Sequence, residues 1–384
     1  MKRKIPLAWL QVSRERSRLL VAMAGIAFAD MLMFIQLGFR TALYDSNTQL
    51  HRAIRADLVL LSPQARNIVN LTSIPRRRLY QAKSLQGVQS VQALYADFVD
   101  WKNPQTKKKT SILLLGFDPV RSPFNLAGVD RNLERLKYPD TVLFDTGSRG
   151  DYTTTIQSVQ QGQSVPTEIR ERQVAVNGLF LSGASFAADG NVITSDVNFH
   201  RIMANRKVAE VSAGLITLEP GTDPNQMAEA LRSLLPDDVK VLTLKEFAQF
   251  EEDYWAENTP IGFIFNLGTA IGFVVGTVIV YQILSSDVAD HMAEYATLKA
   301  MGFRDWYLLS VVFQEALILA ILGFIPGYTI SYGLYGLTRT ATNLPLFMTL
   351  SRATTVFVLT ILMCLISGAI ATRKLRSADP ADVF

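Results

Sequence analysis

Residues 285–304 read SSDVADHMAEYATLKAMGFR, and two long apolar runs bracket them. The stretch is too polar to cross a membrane and too short to form a domain. Its pattern predicts one helix. Asp287 and Asp290 fall in the first turn, and Lys299 and Arg304 come near the end, as the helix dipole favours. Gly302 supplies a stop. Ala289, Ala293, Ala296 and Ala300 form one narrow stripe with Met292 and Tyr295 beside it, a face that lets another surface approach closely. On the residues alone, a solvated connector between two membrane helices is the favoured account.

The flanking runs place the connector in a membrane protein. Residues 261–284 form a span, with Gly268, Gly272 and Gly276 repeating every four residues, the small-xxx-small pattern of close helix contact. That face is a candidate for contact with a second copy, and packing within one subunit is the alternative. Residues 307–337 form a further span, with Gly323 and Pro326-Gly327 as an expected kink and Glu315 near its connector end. A short polar return at 338–353 leads to a last span at 354–371, followed by a tail, 372–384, that carries Arg373, Lys374 and Arg376.

Upstream, residues 19–39 are an apolar run between Arg18 and Arg40, long enough to cross. A cleaved signal is the competing account, but no A-x-A site follows the run directly. Asp30 sits mid-span; an intramembrane acid invites a functional reading, and an acid facing a helix interface or snorkelling to a polar partner is the favoured one. Residues 1–18 place Ile5, Ala8, Trp9 and Val12 on one face and Arg14, Arg16 and Arg18 after it, which predicts an amphipathic helix in the membrane interface.

Residues 40–258 hold no span-length apolar run. Their first part reads β-α-β-β: a strand at 56–61, a helix at 75–84, and strands at 88–101 and 110–117 around a polar hairpin tip at 103–109. The last part returns to β-α-β, with a strand at 208–218, a helix at 223–235, a strand at 239–243 and a helix from Leu244. Between them, 118–205 reads as an inserted β-rich subdomain, with strands at 173–177 and 191–195. Leu181-Ser182-Gly183-Ala184-Ser185 resembles the signature of an ABC ATPase, but no G-x-x-x-x-G-K-[ST] phosphate loop occurs in the chain, so any ATP would be used by another protein. The expected fold class is therefore a membrane α-helical part with four transmembrane helices plus an α+β extracytoplasmic domain with a β-rich insertion.

Composition narrows the function. Over 384 residues, which suggests two or three domains, hydrophobic residues make up 49% and the net charge is +4. The basic residues gather near span ends, which speaks for orientation and against nucleic acid. Basic residues before the first span and after the last put both termini in the cytoplasm, the large domain outside and the connector inside. The single cysteine, Cys364, excludes an intrachain disulfide and a cysteine metal site. His51, His200 and His291 are far apart in sequence, and no triad, metal spacing or acid pair stands out in 45–255, so an enzyme, metal site or bound cofactor is not expected.

The segment Glu294-Tyr295-Ala296-Thr297-Leu298-Lys299-Ala300-Met301-Gly302 resembles the E-I-G-I-L-R-A-L-G segment of the FtsX/MacB family of ABC-transporter permeases; Tyr295 and Ala296 depart from the commonest Ile-Gly. The resemblance implies a cytoplasmic coupling helix at 285–306 that docks on a separate ABC ATPase through Asp290, Glu294, Tyr295, Leu298, Lys299, Ala300, Met301 and Gly302. It also implies an N-terminal elbow helix, a MacB-like periplasmic domain, a homodimer, and ATP and Mg bound by the partner alone. Motion would pass to the outer domain by mechanotransmission, and substrate need not cross between the spans. PLAWLQ at 6–11, ITSDVNF at 193–199 and ADPADVF at 378–384 resemble the cyanobacterial DevC-type permeases. That similarity implies a DevA-type ATPase, a DevB-type periplasmic adaptor, a TolC-like outer-membrane channel reached indirectly, and a lipid-like or glycolipid cargo. An FtsX-type regulator of an extracytoplasmic cell-wall enzyme is the alternative.

Overall fold

The computed structural model describes residues 16–68 and 70–377. The expected amphipathic helix lies almost wholly outside the described residues, as does the end of the tail.

In chain order the elements are α1 (Arg16–Ala53), β1 (Leu58–Leu61), β2 (Ile74–Pro75), α2 (Arg77–Lys83), β3 (Val88–Lys102), β4 (Lys109–Phe117), α3 (Ala127–Asp130), α4 (Leu133–Leu136), β5 (Thr141–Asp145), α5 (Thr153–Gln160), β6 (Val165–Ile169) and β7 (Arg172–Phe180). There follow β8 (Asn191–Ser195), α6 (Asp196–Ile202), β9 (Glu210–Val211), β10 (Ala213–Leu218), α7 (Pro224–Leu234), β11 (Lys240–Thr243), α8 (Leu244–Glu257), α9 (Pro260–Asp290), α10 (Met292–Ala300), α11 (Asp305–Thr342) and α12 (Leu350–Ser377). They divide into two compact units. One holds Ala42–Pro260 with Ala341–Pro345; the other holds the rest of the described residues.

The first unit is built on a nine-stranded sheet of order β11-β1-β10-β3-β4-β8-β5-β7-β6, and β2 and β9 pair apart from it. Both faces are covered, so its strands read as nearly continuous apolar runs. Leu58 and Leu60 of β1 join one core with Leu114, Val142, Phe144 and Val192. Val59 and Leu61 join another with Leu113, Leu115, Leu143 and Ile193. This is the two-residue period of a strand, seen on both faces at once.

The stretch 118–205, expected as an inserted β-rich subdomain, does not form a sheet of its own. Its strands extend the same sheet. β8 lies parallel to β4 in continuous register from Leu113↔Asn191 to Phe117↔Ser195, and β6 reaches back to β3 at Trp101↔Ile169. Local chemistry fixes the helix starts. Asp223 accepts from Asn225 N, and Pro224 opens α7. Thr243 and Glu246 form a reciprocal capping box at the start of α8.

Four helices of the described residues, α1, α9, α11 and α12, are long and apolar enough to cross a membrane. All four run beyond the expected spans at both ends, α12 included. Helix α1 does not end near residue 39 but continues to Ala53. Residues 40–53 contain no glycine or proline, and Leu43, Asn47 and Leu50 bury one face at helical spacing. Helix α9 runs on to Asp290 and takes over the first residues of 285–304. Asp287 and Asp290 therefore lie in the last turn of α9, not in the first turn of a connector helix. Helix α11 continues to Thr342, with Pro326 inside it, so the return before α12 is shorter than 338–353.

The glycine stripe of α9 is filled from within the chain. A Cβ at Gly268 would meet Gln36, one at Gly272 would meet Met33 and Leu32, and one at Gly276 would meet Ala29 and Met363. The stripe thus packs on α1 and α12 and is not free for a second copy. Asp30 faces a helix interface: it is fully buried and accepts a 2.6 Å hydrogen bond from Thr360 Oγ1 of α12. Ser367 Oγ of α12 donates to Thr277 O of α9 at 2.7 Å. Paired polar groups at such points tie apolar helices together.

Candidate functional site

Helix α10 follows a break at His291, whose backbone N–H still bonds Asp287 O at 3.1 Å and whose Nδ1 lies 3.5 Å from Asp287 Oδ1. Acids in the last turn of α9 oppose its dipole, and Arg18 of α1 answers them. Arg18 pairs with Asp290, and its Nη1 lies 3.9 Å from Asp287 Oδ1. Glu315 of α11 is buried, and its carboxyl meets that of Asp287.

The inner face of α10 is a small apolar core. Tyr295 packs with Val288 of α9 and with Leu308 and Val312 of α11, and Met292 and Leu298 lie against them. The helix ends in a Schellman motif: Phe303 N bonds Leu298 O at 3.1 Å and Gly302 N bonds Lys299 O at 3.0 Å. Gly302 has φ +90°, and nothing lies near the position of a Cβ, so glycine is required there by backbone conformation alone.

This geometry sorts the sequence-derived site residues. Glu294, Ala300, Met301 and Gly302 are exposed, Leu298 and Lys299 are half-buried, and Tyr295 is buried in the core. Asp290 is exposed at the end of α9, on the far side of the break. The alanine stripe is split too, because Ala296 turns inward while Ala293 and Ala300 face out. The outward face of α10 is Ala293, Glu294, Thr297, Ala300 and Met301. Just beyond the Schellman turn, Phe303 and Trp306 are exposed, Trp306 at 77%. Sequence reasoning passed over both, although two exposed aromatics beside a polar connector were a readable signal. No group of three or more His, Cys, Asp or Glu among the described residues is placed to hold a metal ion. The outward face offers a surface fixed to the ends of two long helices.

Two buried acids of the sheet unit also escaped the sequence reading. Asp145, at the end of β5, is fully buried and accepts from Gly147 N at 3.0 Å, Ser182 N at 3.0 Å, Gly183 N at 2.9 Å and Asn191 Nδ2 at 2.8 Å. Burial pushes its carboxyl above the usual carboxylate range, and these four donors oppose the shift. The Leu181–Ser185 motif is thus the loop that wraps Asp145, with Gly183 at φ +108°. Glu251 of α8 is fully buried and accepts from Ile68 N and Trp255 Nε1, both at 2.8 Å. His51, in the last turns of α1 and also fully buried, places Nε2 3.5 Å from Glu251 Oε2.

Comparison with known proteins bears on the helical part. No curated protein sequence matches the chain. Among solved structures, the periplasmic region of MacB from Actinobacillus actinomycetemcomitans is similar at 11% identity and a TM-score of 0.34, over 52% of this chain and 94% of that one. The extracellular domain of the noncanonic ABC-type transporter YknZ from Gram-positive bacteria is similar at 14% identity and 0.32, over 49% and 98%. A domain of a putative permease from Porphyromonas gingivalis is similar at 13% and 0.28, over 50% and 89%. Residues 266–380, which run from α9 through the connector to the end of α12, match the family model described as FtsX-like permease C-terminal.

Proposed function

We propose that the chain is the membrane subunit of an ABC-type exporter, in which a separate ATPase acts on the outward face of α10. The FtsX-like match carries this reading, because it covers the connector together with the two helices that hold it. The coupling surface is Ala293, Glu294, Thr297, Ala300 and Met301, extended by Phe303 and Trp306. Tyr295 and Ala296, part of the family-like motif, serve the inner core instead. A push on the outward face acts on the ends of α9 and α11 together, since Tyr295 locks α10 to both.

In this reading the four long helices cross the membrane with both termini in the cytoplasm, and the sheet domain is extracytoplasmic. Motion of α1 and α9 reaches that domain by chain continuity. Two copies form the functional unit through a face other than the glycine stripe. A periplasmic adaptor, an outer-membrane channel and a lipid-like cargo extend the proposal along the DevC-type similarity. The chain itself does no catalysis.

Orientation is the first test. Cys364 is fully buried and is the only cysteine, so a Cys364→Ala background accepts single reporters. In spheroplasts treated with a membrane-impermeant maleimide, Gln161→Cys is expected to label at once and Thr297→Cys only after permeabilisation. Labelling of both from outside, or of Thr297→Cys alone, would overturn the arrangement.

A further inference from the structure

Arg149 joins three segments that are distant in sequence. Its Nε donates to Thr342 O at 3.0 Å, its Nη1 to Asp189 Oδ1 at 3.2 Å, and its Nη2 to Ser185 O at 2.5 Å. Its backbone N–H bonds Asp189 O at 2.6 Å. Next to it, Asn343 Nδ2 donates to Ser148 O at 3.4 Å, and Leu344 is buried. Thr342 is the last residue of α11. The final carbonyls of a helix have no partner inside it and carry partial negative charge, so a guanidinium suits them by geometry and by sign. Residues 341–345 belong to the compact unit of the sheet, although they lie on the path from α11 to α12.

The same loops hold the end of α1. Gln49 Nε2 donates to Ser182 O, and Asn47 Oδ1 accepts from Ala187 N at 3.3 Å. Asp145 fixes Ser182 and Gly183 from behind. Ser148 packs directly on Gly190, where a Cβ would collide with it. The 145–149 turn and the 182–190 loop therefore form one polar knot that grips the ends of two long apolar helices.

We propose that Arg149 is a positioning residue that clasps the carboxyl end of α11 to the sheet domain, so that the knot receives displacement of that helix. The clasp stands on geometry; its consequence rests on the coupling function proposed above. The clasp gives the sheet domain a second input besides the direct continuity of α1 and α9. A lysine cannot reproduce it, because three acceptors in different directions need the guanidinium fork.

Hydrogen exchange on the full-length chain in lipid nanodiscs tests the clasp. Arg149→Ala is expected to speed exchange of peptide 342–347 by about tenfold, with Arg149→Lys in between, while peptides from β3 and β4 stay at wild-type rates. Unchanged exchange of 342–347 in Arg149→Ala overturns the clasp. The relay is tested on the complex purified from native membranes, with Mg·ATP and vanadate as the probe. Wild type is expected to change its exchange at 182–190 on trapping, and Arg149→Ala to lose that change while still hydrolysing ATP. A trapping response that persists in Arg149→Ala overturns the positioning role. A wild-type preparation without ATP hydrolysis would instead defeat the functional reading and leave the first comparison to decide the clasp.

Discussion

Replacing Asp145 with alanine is expected to destabilise the sheet domain by about 3–6 kcal/mol, because three backbone N–H groups and the Asn191 amide lose their acceptor in a buried site. The loss removes the support of the Leu181–Ser185 loop and the floor of the knot that carries Arg149. Asp145→Asn retains one accepting oxygen, the one facing Gly147 and Ser182, but turns an amide toward Gly183 and Asn191, so it falls between wild type and alanine. Thermal unfolding of the purified full chain, followed by hydrogen exchange of peptides from β5 and β8, measures the order wild type, asparagine, alanine. An alanine variant that melts with wild type would show that the four hydrogen bonds contribute no net stability.

A comparable loss is expected at Glu251. Glu251→Leu strips Ile68 N and Trp255 Nε1 of their acceptor and leaves His51 buried without its facing carboxylate. Leaving a buried donor without its acceptor costs about 1–3 kcal/mol, and Glu251 serves two such donors. The neighbouring pair, Arg52 with Glu252 at 3.7 Å, is more than half exposed on the arginine side, at 58%. Arg52→Ala should therefore change stability by no more than about 1 kcal/mol. The two variants alter adjacent positions in the contact between the end of α1 and α8, and they separate a buried polar anchor from a solvated one. Equal unfolding temperatures for both variants would contradict this division.

What the sequence revealed and what it hid follow from the range of the interactions involved. Strands β1, β4 and β8 were legible because their apolar runs are local, and α7 because Asp223 and Pro224 announce its start. The end of α1 was hidden because hydropathy falls near residue 39 while the backbone has no reason to stop being helical until Ala53. The break at His291 left no glycine or proline to mark it, so a pattern that fits one helix from 285 onward is shared in fact between α9 and α10. The joining of 118–205 to the main sheet depends on the parallel pairing of β4 with β8, a contact between segments far apart in the chain that no local pattern encodes.

The candidate surface was partly legible for the same reason. Gly302 was correctly placed as a stop, since its φ of +90° is a local demand. Periodicity put Tyr295 beside the small stripe but could not say that it faces inward, because that depends on Val288, Leu308 and Val312. The glycines of α9 announced a close approach without naming the partner, which proved to be α1 and α12. Asp145 and Glu251 looked unpatterned because their partners come from other segments of the chain.

The central claim is that an ATPase works through the outward face of α10. The chain has no G-x-x-x-x-G-K-[ST] phosphate loop, so on this account ATP hydrolysis in material purified through a tag on this chain is expected from a bound partner. Vanadate-sensitive Mg·ATP hydrolysis should accompany the wild-type chain. It should be lost from Glu294→Arg combined with Met301→Asp, two exposed positions whose change leaves the Tyr295 core intact, and be retained in Lys108→Glu at the exposed hairpin tip. Hydrolysis that is absent from wild type, or that survives the double substitution undiminished, would contradict the account.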